Sequence, residues 1–466
     1  MEALEKHDIQ GLVLKGYGRM THTRYVLLRV DDPARAKAWL ADIAPEISDG
    51  NHSAQRTCLN IAVTYPGLRA LGMRDDNLRQ FAREFREGLT DPHRKRLLGD
   101  LHADDPERWQ WGGTSGDARA EDVHVMLMVF AATVEILTDY WAQLEPVVLA
   151  HGLGVIGKLV GELTDDGKNA FGFNDGIAQP DIAGNHPDTR PDNTVAAGEF
   201  LLGYKNEYGV LPESPYIAAG DQQGDVSLLP TVGPDQKDLG RNGSYLVFRQ
   251  MQIHRHEFWE FVREKSARDE AAAVRLASKM FGRWPSGAPL VLFPDADPGG
   301  EHYDVALGYA DDQEGLRCPI GSHIRRANPR DDFEDNGPAK SLSLTKKHRL
   351  IRRGRNYKTD ADATGEEVGL HFVCFNADIA EQFEFIQHTW VNYPHFNNLH
   401  NDPDPIIGVA SKSKDDEPKD GAPQNFTVQQ RPVNRHVLNL PRFVTIRGGA
   451  YFFFPSLKAI RYLATI

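Results

Sequence analysis

The feature that most constrains the fold is the alternation of two hydrophobic periods along the chain. Four segments are continuously apolar or alternate with period two, as β-strands do: residues 25–30, 59–65, 123–130 and 155–163. Two segments between them place apolar residues on one helical face: Ala36, Trp39, Leu40 and Ile43, then Val134, Leu137, Trp141 and Leu144. Asp32 is a predicted N-cap, with Pro33 at the first helical position. Strands interleaved with helices predict a mainly antiparallel sheet covered by helices, an α+β fold.

The second half of the chain repeats this order of elements without repeating the residues. Strands are predicted at residues 245–248, 370–375 and 442–454. Helices are predicted at residues 256–279, in the segment that carries Ile379, Phe383, Ile386 and Trp390 on one face, and at the C-terminus. The two halves therefore look alike in element order.

Composition excludes several classes of protein. A formal net charge of −13 argues against nucleic-acid binding, because phosphate backbones attract clusters of Lys and Arg. Cys58, Cys318 and Cys374 form no metal-type spacing, so we expect free thiols in a reducing compartment rather than a disulfide framework, with Cys58 and Cys374 buried in apolar segments. The N-terminus shows no export signal, and no segment has the ~20 apolar residues of a membrane span. We expect a cytoplasmic protein.

Three long segments rich in Gly, Pro, Asn and Asp interrupt this pattern: residues 182–243, 296–345 and 395–440. Loops this long are uncommon in compact domains unless they are functional. Because sequence motifs fall in two of them, we expect these loops to surround a cofactor.

One acidic residue stands out in the segment FGFNDGIAQP, residues 171–180. Asp175 has phenylalanines before it and Gly176 after it. The glycine permits the backbone to approach a flat ligand closely, and the phenylalanine rings provide an apolar wall. An acid in such surroundings is a candidate proton carrier. Taken alone, the segment is equally typical of a turn with a surface aspartate, and that interpretation is the simpler one.

A second segment, CPIGSHIRRANPR at residues 318–330, places His323 among small residues and before three arginines. Small neighbours leave room for a planar group, and arginines bind carboxylates in a bidentate manner. A haem needs both an axial nitrogen and partners for two propionates. A histidine in a basic surface turn is the alternative. The third segment, RLIRRGRNY at residues 349–357, is by itself typical of a basic strand end.

In this order, the three segments resemble the dye-decolourising peroxidases. GFNDG is similar to that family's GxxDG signature, CPIGSHIRRANPR to its proximal-histidine segment and LIRRGRNY to its distal-arginine segment. GLHFVCFNADIAEQFEFIQHTWVN, DPDPIIG and AYFFFPSL resemble later stretches, so the resemblance covers nearly the whole chain.

The resemblance implies a haem b peroxidase that reduces hydrogen peroxide and oxidises dyes, phenols or other small organic reductants. Asp175 is then the distal acid–base, Arg352 the stabiliser of developing charge and His323 the proximal ligand of the iron. Asp404 accepts a hydrogen bond from the other imidazole nitrogen of His323. The remaining residues implied to contact the haem are Arg325 and Arg330 at the propionates, and Gly176, Ile177, Leu370 and Phe372.

The family fold is a pair of ferredoxin-like α+β domains, which agrees with the two similar halves. We predict an N-terminal domain at residues 1–240 with the distal acid and a C-terminal domain at residues 241–466 with the haem. Assembly into a homo-oligomer is allowed for. The residues leave two choices open, since either Arg352 or Arg353 can face the haem, and Asp402 competes with Asp404. Gly321, Ser322 and Lys358 depart from the usual family pattern.

Other candidates are weaker. Trp390 and Tyr357 are candidates for electron transfer from bulky reductants, although Trp390 also fits a core position. The pairs His254–His256 and His395–His400 lack a third ligand and are interpreted as surface histidines. A protein that binds haem or releases its iron without turnover is the alternative function, and it would need His323 but neither Asp175 nor Arg352. A haem enzyme for chlorite chemistry would not need the GxxDG acid.

An aspartic acid as proton carrier predicts activity at acidic pH. Unperturbed aspartic acid has a pKa of about 3.9, against about 6.5 for histidine. We therefore expect kcat/KM for peroxide to persist below pH 5 while haem is retained. A steady-state pH profile measures this, and a collapse of kcat/KM below pH 5 with an intact haem spectrum would contradict the role of Asp175.

Overall fold

The computed structural model describes residues 2–51, 56–164, 166–186, 190–300, 307–333, 337–359, 367–409 and 424–466. The elements of the N-terminal half that form its sheet and cover it are β1 His22–Val30, α1 Pro33–Ile43, β2 Thr57–Val63, β3 Val125–Ala131, α2 Val134–Ala150 and β4 Leu153–Glu162. Short helices between β2 and β3 are Tyr65–Ala70, Asp75–Leu78, Arg83–Glu87 and Pro92–Leu98. No helix in these residues has the length and apolar character needed to cross a membrane.

The C-terminal half contains a second such set. Its elements are β5 Ser244–Ile253, α3 Arg255–Lys265, α4 Glu270–Phe281, α5 His323–Ala327, β6 Ile351–Arg352, β7 Arg355–Lys358, β8 Val368–Asn376, β9 Val444–Phe454 and α6 Leu457–Leu463. Two π-helical segments, Ala380–Glu384 and Ile386–Val391, follow β8. Outside the sheet lie helix Gly337–Lys346 and the hairpin of Gln424–Val428 with Arg435–Leu440.

The two halves share one strand order. The N-terminal strands lie in the order β4-β1-β3-β2 and the C-terminal strands in the order β9-β5-β8-β7, all antiparallel. β6 and β7 pair with successive parts of the same edge of β8 and are counted as one interrupted strand. Counted in this way within each half, both orders are fourth-first-third-second. This is the ferredoxin-like α+β arrangement expected from the sequence. The boundary between residues 240 and 241 stays a prediction.

The half-sheets meet at both outer edges. Phe453 pairs with Val63 at one edge, and Asn356 pairs with Glu162 at the other, so the strands form a closed ring. Side chains from both halves fill one common buried cluster, which includes Tyr25, Met128, Phe130, Leu246, Phe248, Phe375 and Phe452. The helices cover the opposite faces of the sheets and enclose a second cluster.

Local sequence signals explain the best-predicted element. Asp32 caps α1, because its Oδ1 accepts from the backbone N–H groups of Ala34 and Arg35 at 3.1 and 3.2 Å. All four residues of the predicted stripe are buried: Ala36, Trp39, Leu40 and Ile43. Cys58 and Cys374 are buried free thiols, as expected, and Cys318 is one as well.

Three element predictions were wrong in detail. Val134 is 48% exposed, because it occupies the first position of α2 beside the Thr133 cap instead of the core stripe. The helix predicted at residues 256–279 is two helices, since Ala267 and Arg268 take positive φ angles that break it. Tyr65 begins a helix behind the Thr64 cap and does not belong to β2.

The common cluster predicts where truncation destabilises the chain. Phe248 is fully buried between the half-sheets, with Tyr25 at 4.9 Å and Trp111 at 5.3 Å between ring centroids. We expect Phe248→Ala to lower the free energy of unfolding by about 3–5 kcal/mol and the exposed control Val134→Ala by less than about 0.5 kcal/mol. Denaturant titration followed by circular dichroism measures both. Equal effects would contradict the closed core.

Candidate active site

A large cavity lies on the outer face of the C-terminal half-sheet. Its empty volume is about 1600 Å³, including the part that is open to solvent. Met251 of β5, Leu370 and Phe372 of β8, and Val444 of β9 form its sheet wall. Loops and short helices form the other walls: residues 171–178, the segment after α4, residues 307–309, α5 with the loop after it, residues 348–352 and the π-helical segments. Two of the three long irregular segments therefore reach the cavity, through Leu307, Tyr309, Arg330, Ile406 and Ile407.

His323 is the first residue of α5 and lines this cavity. Its Nδ1 lies 2.9 Å from Oδ2 of Asp404, which is fully buried. The other carboxylate oxygen of Asp404 accepts from the backbone N–H groups of Ile406 and Ile407 at 2.9 and 3.0 Å. With Asp404 ionised, Nδ1 of His323 donates its proton to this bond, and Nε2 keeps a lone pair.

The electrostatics of the pair agree with a hydrogen bond from Nδ1 of His323 to an ionised Asp404. Burial alone would lower the pKa of His323, but the charge of Asp404 and its hydrogen bond outweigh burial and raise it. Burial would raise the pKa of Asp404, and the interaction with His323 lowers it instead. Asp404, not Asp402, is the partner of His323; the backbone carbonyl of Asp402 accepts from Arg326.

Asp175 and Arg352 line the same cavity and face each other. Oδ1 of Asp175 lies 4.0 Å from Nη1 of Arg352, and the two side chains are 39% and 38% exposed. Gly176 takes a φ of 75° and its N–H donates to Oδ1 of Asp175 at 2.6 Å, so the glycine turns the chain around the acid. Nη2 of Arg352 donates to the carbonyl of Ile177 at 3.0 Å, which fixes the guanidinium beside the acid.

Strand geometry settles which arginine faces the cavity. Arg352 lies in β6 and reaches the cavity, whereas Arg353 donates to the carbonyls of Leu12 and Val13 at 2.9 and 2.8 Å on the other side. Neighbouring side chains of an extended backbone point to opposite faces, so only one of the two can face the cavity.

Three buried guanidiniums in the cavity wall lack a carboxylate partner among the described residues: Arg283, Arg330 and Arg349. Arg283 donates to the carbonyl of Gly287 at 2.7 Å and Arg330 to that of Leu307 at 3.0 Å. Arg349 donates to the carbonyl of Ala178 and to Oδ1 of Asn193, both at 3.2 Å. Burial lowers the pKa of Arg283 to about 10 and that of Arg349 to about 9. Since uncompensated buried charge is costly, these residues favour an anionic ligand.

The donor set fits the haem that the sequence resemblance implies. One neutral imidazole nitrogen faces the cavity, apolar side chains line the walls, and the buried guanidiniums suit two propionates. No sequence motif indicated a role for Arg283. Arg349 stands in the quoted RLIRRGRNY segment, but its burial depends on the tertiary contact with residues 178 and 193.

Arg325 corrects one expectation. Its five N–H donors are all used inside the protein, by Asp332, by the side chain and carbonyl of Asp312 and by the carbonyl of Cys318. It is fully buried and does not line the cavity, so it has no donor left for a propionate. Its neighbour Arg330 lines the cavity instead.

The remaining predicted residues divide into two groups. Ile177, Leu370 and Phe372 line the cavity, whereas Gly176 acts through the backbone around Asp175. Trp390 and Tyr357 are both buried, at 5% and 4% exposure, so neither offers a surface to a bulky reductant. Tyr357 stacks on His371 at 4.6 Å between ring centroids and donates to Glu367 at 2.7 Å. The described residues contain no cluster of three or more metal-ligating side chains, and His254 bonds to Thr445 at 2.8 Å.

Comparison with known proteins matches this arrangement. Residues 219–399 match a family model described as Dyp-type peroxidase, C-terminal. A dye-decolorizing peroxidase of Mycena epipterygia is 30% identical over 99% of this chain and 88% of the relative. The crystal structure of a fungal DyP-type peroxidase from Auricularia auricula-judae superposes over the whole of both chains with a TM-score of 0.78 and 25% identity. A more limited match, 31% identical, covers 57% of this chain and 45% of a deferrochelatase of Yersinia pestis.

The placement of Arg325 predicts a structural effect of its removal. Arg325→Met leaves the buried Asp332 without its cation and leaves Asp312 with only the more distant Arg317, at 3.8 Å, so we expect the free energy of unfolding to fall by about 3–5 kcal/mol. Denaturant unfolding of the haem-free protein measures the change. A variant that keeps its stability and loses haem affinity would show that Arg325 binds the cofactor after all.

Proposed function

The chain belongs to the dye-decolourising peroxidases, a family of haem enzymes, and we propose that its cavity reduces hydrogen peroxide and oxidises small organic reductants. One observation carries this proposal. His323, with Asp404 bonded behind it, and the Asp175–Arg352 pair line one cavity, and buried guanidiniums lie in its wall. An axial ligand, a proton carrier and a fixed cation are the groups that peroxide reduction at haem requires.

The residues that would hold the cofactor follow from their donors. Nε2 of His323 would bind the iron, and the buried guanidiniums, Arg330 among them, would bind the propionates. None of the three cysteines lines the cavity, which favours non-covalently held haem b. When bound, haem supplies the redox-active iron at which the O–O bond of peroxide is cleaved.

Asp175 would move the proton. Its carboxylate could accept a proton from one oxygen of hydrogen peroxide and return it to the other, which would leave as water. The hydrogen bond from Gly176 occupies part of Oδ1, so Oδ2 is the freer acceptor. The partial exposure of Asp175 keeps the acid within reach of peroxide entering from solvent.

Arg352 and Asp404 would act on charge and orientation. The guanidinium of Arg352 stabilises negative charge that develops on the departing oxygen, and its bond to Ile177 holds it in place beforehand. Asp404 fixes the tautomer of His323 and strengthens its donor nitrogen. Leu370, Phe372 and Phe383 provide an apolar wall that limits water near the reacting oxygens.

Asp175→Asn tests the assignment. We expect the variant to keep the Soret absorption of the haem-loaded protein and to lose peroxide-dependent dye oxidation by about 10²- to 10⁴-fold, since the amide cannot accept the proton. Leu370→Val, in the same wall, is the matched control that leaves the acid in place.

The outcomes separate the two functions. Absence of a Soret band in the wild-type protein supplied with haem would refute the whole proposal. A wild-type protein that binds haem without oxidising the dye would favour the alternative role in haem binding or iron release. A fully active Asp175→Asn variant would remove Asp175 as the proton carrier.

A further inference from the structure

Tyr309 is a cavity residue with an unmet hydrogen-bonding group. It lies in the cavity wall, is 1% exposed, and its hydroxyl has no hydrogen-bond partner among the described residues. A buried phenol without a partner costs free energy, because water would satisfy it in the unfolded chain. A tyrosine kept in this state beside a ligand cavity points to a partner that the ligand provides.

Three cations surround the Tyr309 hydroxyl, while the nearby carboxylate of Asp331 accepts from the backbone N–H of Tyr309 at 2.6 Å. Arg283, Arg325 and Arg330 all interact electrostatically with its hydroxyl group, and the guanidinium of Arg325 lies over its ring at 4.7 Å. Arg325 is saturated by its own acceptors, as described above. Arg283 and Arg330 each donate one hydrogen bond to a backbone carbonyl, so most of their N–H donors remain for a ligand.

Three donors of this kind select a carboxylate. Burial raises the pKa of the Tyr309 hydroxyl, so it keeps its proton at any working pH and serves as a donor. Two guanidiniums supply the charge, and the phenol adds a directional hydrogen bond. A neutral ligand would leave Arg283 without a nearby carboxylate among the residues that the structure describes, and Arg330 with only the attraction of Asp331 and Asp192.

We propose that Tyr309, Arg283 and Arg330 form a carboxylate site that holds one propionate of the haem. The proposal rests on the proposed haem function and adds two residues, Tyr309 and Arg283, for which the sequence provided no motif. In this site the Tyr309 hydroxyl contributes to cofactor retention and not to the stability of the empty protein.

Tyr309→Phe should therefore affect the stability of the haem-free protein and the retention of haem differently. The empty protein loses only an unpartnered hydroxyl, so its unfolding free energy should stay unchanged or rise. The haem-loaded protein loses a charge-assisted hydrogen bond, and haem should dissociate about tenfold to hundredfold faster. If Tyr309 had only a structural role, Tyr309→Phe would lower the unfolding free energy of the empty protein and leave the rate of haem dissociation unchanged.

Tyr25→Phe is the matched control. Tyr25 is also fully buried, and its hydroxyl has no partner in the described parts of the chain, but it lies between the half-sheets and does not line the cavity. Haem transfer from each holoprotein to an excess of a tight haem-binding acceptor, followed in the Soret band, gives the dissociation rate. We expect acceleration for Tyr309→Phe and the wild-type rate for Tyr25→Phe.

Arg283→Gln provides a second test of the same site, and it should also accelerate haem transfer. Wild-type transfer rates in both Tyr309→Phe and Arg283→Gln would overturn the proposal, as would equal acceleration in Tyr309→Phe and Tyr25→Phe. Acceleration in Arg283→Gln alone would remove Tyr309 from the site. These results all require a wild-type protein that binds haem, so they are distinct from failure of the proposed function.

Discussion

The hydrogen bond between His323 and Asp404 is the interaction on which the site depends. It joins the start of α5 to a loop 81 residues later in the chain, and the carboxylate is kept in place by two backbone N–H groups. A fully buried carboxylate is tolerated only with such partners. The bond therefore orients the imidazole and at the same time ties the irregular segment after the π-helical residues to the cavity wall.

The two faces of the C-terminal half-sheet have separate tasks. Leu370 and Phe372 of β8 line the cavity, while His371 and Val373 between and after them face the common cluster. The same alternation sends Arg352 into the cavity and Arg353 to the opposite side. Because the strands form a closed ring, the inner face of this half-sheet packs into a rigid core. The outer face can therefore carry an open cavity lined by buried guanidiniums.

Sequence reasoning succeeded where the information is local. The α1 stripe and its cap lie within 12 residues, 32–43, and the structure has them as predicted. The family motifs identified His323, Asp175 and Arg352, which line one cavity, and Asp404, which bonds to His323. Arg325 was misassigned because its acceptors on residues 312 and 332 come from loops whose folding no local pattern reports. Arg283 and Tyr309 were missed for the same reason, and the break at Ala267 and Arg268 depends on backbone angles that neither residue type favours.

The placement of sulfur has a consequence for a protein that handles an oxidant. Peroxide attacks thiolates far faster than thiols, and burial raises the pKa values of Cys58, Cys318 and Cys374, that of Cys58 to about 11. All three thiols also lie outside the cavity lining. Met251 is the sulfur-bearing residue in the described lining, and its conversion to the sulfoxide would place a polar group in the apolar wall. The working lifetime of the catalyst would then depend on one thioether rather than on its cysteines.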